Sequence, residues 1–103
     1  MEFELQCRYD ARQSFYGKAK VETTRNIHEL TQDLYSYGVL VASVVWSFEK
    51  QFKQYNLIPY KTLTGREKTQ TTTRHQKEFF KQNGLTDSEI KELFKNGEMV
   101  KEV

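Results

Sequence analysis

The stretch LYSYGVLVASVVWSF, residues 34–48, holds the longest apolar run of the chain and decides the fold class. Tyr37 and Gly38 interrupt it with a dipeptide suited to a tight hairpin corner, because glycine accepts a positive φ at no steric cost. Residues 39–46 are rich in β-branched side chains and are apolar on both faces, which is typical of a central strand covered on both sides. The sequence therefore predicts that this segment is the core strand of a sheet.

Two further strands are predicted on the N-terminal side of this segment. Residues 2–9 alternate between apolar and polar side chains, the period of a strand with one wet face. Cys7 falls on the apolar side, where a small core residue is expected. Residues 14–24 form the second strand and pair with the first as an antiparallel hairpin. The polar residues 25–33 predict a loop or a single helical turn.

On the C-terminal side, the hydrophobic period changes from that of strands to that of helices. Residues 49–56 predict a polar excursion and residues 57–63 a strand, placed at an edge or a bulge because Pro59 cannot donate to a ladder. The segment TTTRHQKEFFKQNG, residues 71–84, predicts a helix with a threonine cap and Gly84 just past its end. A second helix begins with the capping-box spacing of Thr86 and Glu89 and stops at residues 96–97.

These elements predict one α+β domain over residues 1–103: an antiparallel sheet of four or five strands with two C-terminal helices packed on one face. The expected helix contacts with residues 39–46 are Phe79, Phe80, Ile90, Leu93 and Phe94.

Composition excludes several classes of protein. The 103 residues include 37% hydrophobic and 29% charged side chains, as in a soluble globular domain. No apolar run approaches the roughly 20 residues of a membrane-spanning helix, and the N-terminus lacks the pattern of a secretory signal. The single cysteine, Cys7, excludes an internal disulfide. We expect a cytoplasmic protein with no membrane partner.

The residues needed for catalysis are scarce. The chain has two histidines, His28 and His75, and its one thiol, Cys7, falls on the apolar face of a predicted strand, where a core residue is expected and not a nucleophile. Zinc-ligand pairs and glycine-rich phosphate loops are also missing from the sequence. The sequence therefore predicts a protein that is not an enzyme and uses no metal or cofactor.

Basic side chains concentrate in residues 61–84, which carry six cationic and two anionic groups although the whole chain has a net charge of +2. On a helix, Arg74, Lys77 and Lys81 share one face and could contact a nucleic-acid backbone or an acidic protein. An ordinary solvated face explains them equally well. The acidic start of the second helix argues against major-groove recognition by a helix-turn-helix. The candidate binding cations are Arg66, Lys68, Arg74, Lys77 and Lys81.

Aromatic residues make up 14% of the chain and crowd its middle. Aromatic side chains on a sheet can stack on single-stranded bases, but filling a small core with large rings is the stronger explanation. Tyr16, Tyr35 and Phe52 fall on the polar side of their segments, and we take them as candidate exposed anchors of a binding surface.

The words LYSYGVLVA (34–42) and QTTTRHQKEFFKQNG (70–84) together resemble a small domain family of phages, plasmids and other mobile elements of Gram-positive bacteria. Its pattern is a "LYSYxTxVA" strand pair followed by a "TTxRHxxEFxxQxG" helix. The likeness covers about residues 33–84 and departs at Gly38 and Val39, where threonine or asparagine often follows the SY pair. It carries over no catalytic residue.

The resemblance implies a small accessory protein of a mobile element, and such proteins are often inhibitors of host defence. We therefore expect a non-enzymatic inhibitor that binds a host protein or ribonucleoprotein, such as an anti-CRISPR protein acting on a type II Cas9 complex or its guide RNA. The positive net charge argues against an acidic mimic of DNA. The alternatives are a regulator that binds nucleic acid through residues 61–84 and a structural subunit of a phage particle.

Overall fold

A six-stranded antiparallel sheet forms the framework of the chain, and its strands follow one another in the order of the sequence. A computed structural model describes residues 1–11, 14–59 and 70–102. The elements are β1 (Glu2–Glu4), β2 (Ala19–Arg25), β3 (Glu29–Ser36), β4 (Val39–Ser47), β5 (Phe52–Leu57), α1 (Gln70–Gln82), α2 (Asp87–Asn96) and β6 (Glu98–Glu102). The α+β class and the two C-terminal helices are confirmed, but the sheet has six strands rather than four or five.

The hairpin of β3 and β4 stands at the centre of the sheet, as the opening segment predicts. Ser36 pairs with Val39 across the two-residue corner, where Tyr37 and Gly38 have φ values of 52° and 80°. Expected burial on both faces of β4 is wrong, because both helices lie on the side of the sheet where Ala42 and Val44 are buried. The opposite side, which we call the open face, is covered by no described element.

Several strand boundaries differ from the expected ones. The first strand ends at residue 4 and the second begins at residue 19, since Gly17 lies in a turn with φ 72°. Residues 25–33 contain the start of β3, and the expected polar excursion at residues 49–56 contains most of β5. Both strands carry polar side chains on both faces, with Gln32 of β3 and Lys53 of β5 on the covered side, and this hides the period of two. The expected strand at 57–63 is wrong at its start, because β5 ends at Leu57; residues 60–63 lie outside the described part.

Local end signals place the end of α1 and both ends of α2 correctly, but the expected threonine cap of α1 is wrong, because α1 begins at Gln70 and residues 71–73 lie inside it. Gly84, at φ 95°, follows the end of α1. Thr86 accepts a hydrogen bond from the backbone of Glu89 while the Glu89 side chain accepts one from the Thr86 backbone, so the predicted capping box is present. Gly97 ends α2 in the left-handed conformation that glycine adopts without strain.

The core lies between the helices and the covered side of the sheet. Phe80 is fully buried, and its ring contacts the rings of Tyr55, Phe79 and Phe94. Cys7 packs against this core and is half-buried, in agreement with its place on the apolar side of the first segment. The buried apolar residues are Leu5, Phe15, Ala19, Val21, Leu34, Val41, Ala42, Val44, Tyr55, Phe79, Phe80, Leu85, Ile90 and Leu93.

Tyr55 gives the core a measurable pH dependence. Its hydroxyl donates a 2.7 Å hydrogen bond to the carbonyl of Asn83. Burial, and secondarily the negative charge of Glu89, raises the pKa of Tyr55 from 10.0 to about 12. The unfolded chain ionises first as the pH rises, so this contribution to stability is present below pH 10 and is lost between pH 10 and about 12.

We expect Tyr55→Phe to cost about 1 kcal/mol at neutral pH, the value of one buried hydrogen bond. The variant should then lose less stability than the parent when urea unfolding is repeated above the ordinary tyrosine pKa. Parallel losses in the two proteins would contradict the assignment.

Candidate binding surfaces

Charged side chains of the strands are sorted by the face of the sheet. Residues directly opposite each other in an antiparallel pair lie on the same face, so the register assigns each charge. The open face holds a single cation, Lys20, among the strand residues, with these seven carboxylates: Glu2, Glu4, Glu22, Glu29, Asp33, Glu98 and Glu102. On the covered side the charged strand residues are all cations: Arg25, Lys53 and Lys101.

One row of the open face crosses the whole sheet. Its members, one from each strand in order, are Glu2, Glu22, Asp33, Ser43, Asn56 and Glu98. Glu2 pairs with Lys20 at 3.7 Å, and Glu22 with the N-terminal amine at 3.1 Å. Within the described residues, Asp33 and Glu98 form no ion pair. The strand residues of the open face thus give it a net negative charge.

Two Tyr-Gly turns stand at one end of the open face. Tyr16 and Gly17, with φ values of 53° and 72°, repeat the conformation of Tyr37 and Gly38. The Tyr37 amide donates to the Lys18 carbonyl at 2.8 Å, which joins the two turns. Tyrosine in the left-handed region costs about 1 kcal/mol that asparagine largely avoids.

The first of the candidate anchors, Tyr16, is 77% exposed in its turn. Tyr35 is half-buried and lines a shallow cleft of about 800 Å³ beside the two turns. Phe52 is also half-buried on the open face but pairs with Ser47 and Glu102, at the opposite end of the strands from Tyr35. The structure therefore places two anchors at one end of the open face and the third at the other.

The candidate cations of α1 lie on the side of the sheet opposite the open face. Arg74, Lys77 and Lys81 line one small hollow on α1, as their spacing predicts. Lys81 is held by Asp87 at 2.9 Å, and this hydrogen bond lowers the pKa of Asp87. Arg66 and Lys68 lie outside the described residues. The cationic stripe of α1 is therefore partly neutralised by its own neighbours.

A second group of cations lies on the covered side of the sheet and was not anticipated from the sequence. The rings of Trp46 and Phe48 meet edge to face at 5.2 Å. The Arg25 guanidinium lies 5.4 Å from the centre of the Phe48 ring, and the Lys53 ammonium 5.5 Å from that of Trp46. We call these four residues the aromatic–cationic patch. The high aromatic content in the middle of the sequence indicated the two rings. The two cations could not be assigned to the patch from the sequence, because they lie on other strands, β2 and β5.

Four polar side chains of α1 are buried: Thr72, His75, Gln76 and Glu78. His75 Nδ1 lies 2.7 Å from the Ser36 hydroxyl, in a hydrogen bond that ties the helix to β3. Glu78 is 2% exposed, and one of its carboxylate oxygens accepts from the backbone amides of Arg8, Tyr9 and Asp10 at 2.7–2.9 Å. These groups are occupied in holding the chain together, which gives them a structural role.

No group of three or more His, Cys, Asp or Glu side chains that could hold a metal ion occurs in residues 1–11, 14–59 and 70–102. Over the same residues, neither helix has the length and apolar character required to cross a membrane.

Comparison with known proteins identifies a family. Searches of curated proteins and of solved structures give no match. The Family of unknown function (DUF8033) matches residues 3–96, a span that includes β1 to α2 and ends before β6. Since this span is most of the 103 residues, the chain belongs to the Family of unknown function (DUF8033).

Proposed function

We propose that this protein is a non-enzymatic binding protein whose open face binds a basic protein surface. The observation that carries the proposal is the sorting of charges by face, which leaves seven carboxylates and one lysine among the strand residues of the open face. Complementary charge steers association and excludes partners of the wrong sign. The most strongly basic surfaces of proteins are those that hold nucleic acid, and the proposed partner class is therefore a nucleic-acid-processing enzyme.

Within that class we propose a host defence nuclease, with a type II Cas9 complex as the first partner to test and inhibition as the consequence of binding. Support for this choice comes from the likeness of residues 34–42 and 70–84 to mobile-element proteins. A protein bound in the nucleic-acid groove of the nuclease would block DNA cleavage by excluding the substrate, and it would need no catalytic residues of its own.

The net charge of +2 argued against a protein that binds through an acidic surface. The electrostatic potential at an interface, however, is set by the charges close to it and not by the total charge of the protein. Charges separated by more than about 10 Å are largely screened at physiological salt. Lys77 and Arg74 lie on α1, which packs against the covered side, so they do little to offset the carboxylates across the sheet. The open face can therefore act as an acidic surface on a protein whose total charge is positive.

The size of the open face suits a specific interface. Strands lie about 4.8 Å apart and rise about 3.3 Å per residue, so six strands of this length present on the order of 600 Å². A stable protein–protein interface buries about 800 Å² on each partner. The open face and one of its rims would together supply that area.

Charge reversal on the open face tests the proposal. Asp33→Lys places a cation opposite Glu22, and Glu98→Lys lies opposite Asn56, so both substitutions suit the fold. We expect the double variant to bind Cas9, free or guide-loaded, at least about 30-fold more weakly, since each close charge pair contributes over about 1 kcal/mol. Inhibition of DNA cleavage should fall in step.

Glu92→Lys is the matched control, because Glu92 is an exposed carboxylate on α2. It should change binding less than about threefold, as expected for a charge outside the interface. Unchanged cleavage by several type II Cas9 proteins, with no binding to either form, would reject Cas9 as the partner. Binding that survives the double reversal would reject the open face as the site.

The alternative function, a regulator that binds nucleic acid through residues 61–84, has weaker support. Arg74 and Lys77 are available on α1, but Lys81 is engaged with Asp87, and the remaining candidates Arg66 and Lys68 lie outside the described residues. Nucleic-acid binding that survives Lys77→Glu and Lys81→Glu would contradict it.

A further inference from the structure

We infer that the aromatic–cationic patch (Arg25, Trp46, Phe48 and Lys53) is a binding surface for single-stranded nucleic acid. It lies on the side of the sheet opposite the open face and does not depend on the proposed protein partner. Its residues also differ from the basic segment 61–84.

The sheet itself builds the patch. Arg25, Leu30, Trp46, Lys53 and Lys101 form one row across five adjacent strands, β2 to β6. Phe48 follows two residues after Trp46, and the two rings meet edge to face at 5.2 Å. Cations therefore flank a pair of rings on both sides, in the order Arg25, Phe48, Trp46, Lys53.

The two flanking cations keep their charge available. Among the described residues, neither Arg25 nor Lys53 has a carboxylate within ion-pair distance, whereas Lys101 at the end of the same row pairs with Glu89 at 3.0 Å. Arg25 is exposed, and Lys53, Trp46 and Phe48 are half-buried. The positive charge of the patch is thus not cancelled locally, as that of Lys81 on α1 is.

This combination fits the chemistry of a single strand. Proteins that bind single strands without sequence preference stack bases on aromatic rings and place cations beside the phosphates. A duplex hides its bases, so it would gain only the phosphate contacts. The carboxylates of the open face repel phosphates and confine a bound strand to the covered side of the sheet.

Trp46 makes the inference directly measurable, because it is the only tryptophan of the chain. We expect a dodecamer of deoxythymidine and a dodecamer of uridine each to quench its fluorescence on titration. With two or three phosphates contacted, the dissociation constant should rise about tenfold between about 50 and 200 mM salt. A hairpin duplex of equal charge should bind at least about tenfold more weakly.

The matched variants separate this patch from other cations. Arg25→Gln with Lys53→Gln should weaken binding at least about tenfold at low salt, while the thermal midpoint of the protein changes little. Lys91→Gln with Lys95→Gln removes the same charge from the exposed face of α2 and should change binding less than about twofold.

Phe48→Leu keeps an apolar side chain at this position but removes the aromatic ring. We expect it to weaken the binding of both single-stranded dodecamers, because a base can no longer stack on residue 48. The inference is overturned if neither oligomer quenches Trp46, if the duplex binds as tightly as the single strands, or if the two double variants lose binding equally. Loss of binding only after Lys77→Glu and Lys81→Glu would assign the nucleic acid to α1 instead. These outcomes do not depend on whether the protein binds Cas9, because that proposal is tested with substitutions on the open face.

Discussion

Replacing Glu78 by alanine is expected to cost about 3 kcal/mol of unfolding free energy, because it removes the acceptor of three backbone amides at once. One oxygen of this carboxylate accepts from residues 8, 9 and 10, and the other accepts from Gln82 Nε2 at 2.9 Å. Hydrogen bonds to a charged acceptor are about twice as strong as neutral ones. Glu78 therefore fastens the segment after β1 to α1.

Glu78→Gln separates charge from shape in this contact. The amide retains one acceptor oxygen but no negative charge, so we expect a cost of about 1–2 kcal/mol, between those of the parent and the alanine variant. Urea unfolding gives the free energies, and hydrogen exchange should show the amides of Arg8, Tyr9 and Asp10 losing protection. Glu92→Ala, at an exposed position of α2, should stay within about 0.5 kcal/mol of the parent. An equal, small effect at Glu78 and Glu92 would contradict the structural role.

Structural features that depend on a few neighbouring residues were predictable from the sequence. The Tyr37-Gly38 corner, the capping box of Thr86 and Glu89 and the helix end at Gly97 all depend on local hydrogen bonds or on a positive φ. Their signals therefore survive without knowledge of the partners. The pairing of both helices with one side of the sheet follows from their apolar spacing.

Features that depend on distant strands were not predictable. Glu78 looks like one more solvated charge until the chain from residue 8 to residue 10 is placed over it. The sequence of β5, FKQYNL, has polar side chains on both faces and no visible strand period. Sorting of charge by face required the register of all six strands, because a one-residue shift would move each side chain to the other side.

Ending the chain after Gly97, which removes β6, is expected to lower the stability of the fold substantially. This strand lies beyond residue 96, where the family match stops, yet it pairs with β5 from Phe52 to Asn56. Met99 packs against the core, and Lys101 forms an ion pair with Glu89 at 3.0 Å. The buried apolar area and the ladder hydrogen bonds, less the entropy of ordering five residues, give an expected cost of about 3 kcal/mol.

Tyr55 reports whether β6 acts as part of the core, because Met99 lies directly opposite it. Without β6 the phenol becomes more accessible to water, and its pKa should fall from about 12 towards its ordinary value of 10.0. A chain ending at Glu102 is the control and should match the parent in urea unfolding and in alkaline titration at the tyrosinate absorbance. If the chain ending at Gly97 matches it too, β6 contributes nothing to the fold. A shorter chain with both lowered stability and an earlier Tyr55 titration shows instead that the sheet needs its sixth strand to keep β5 buried.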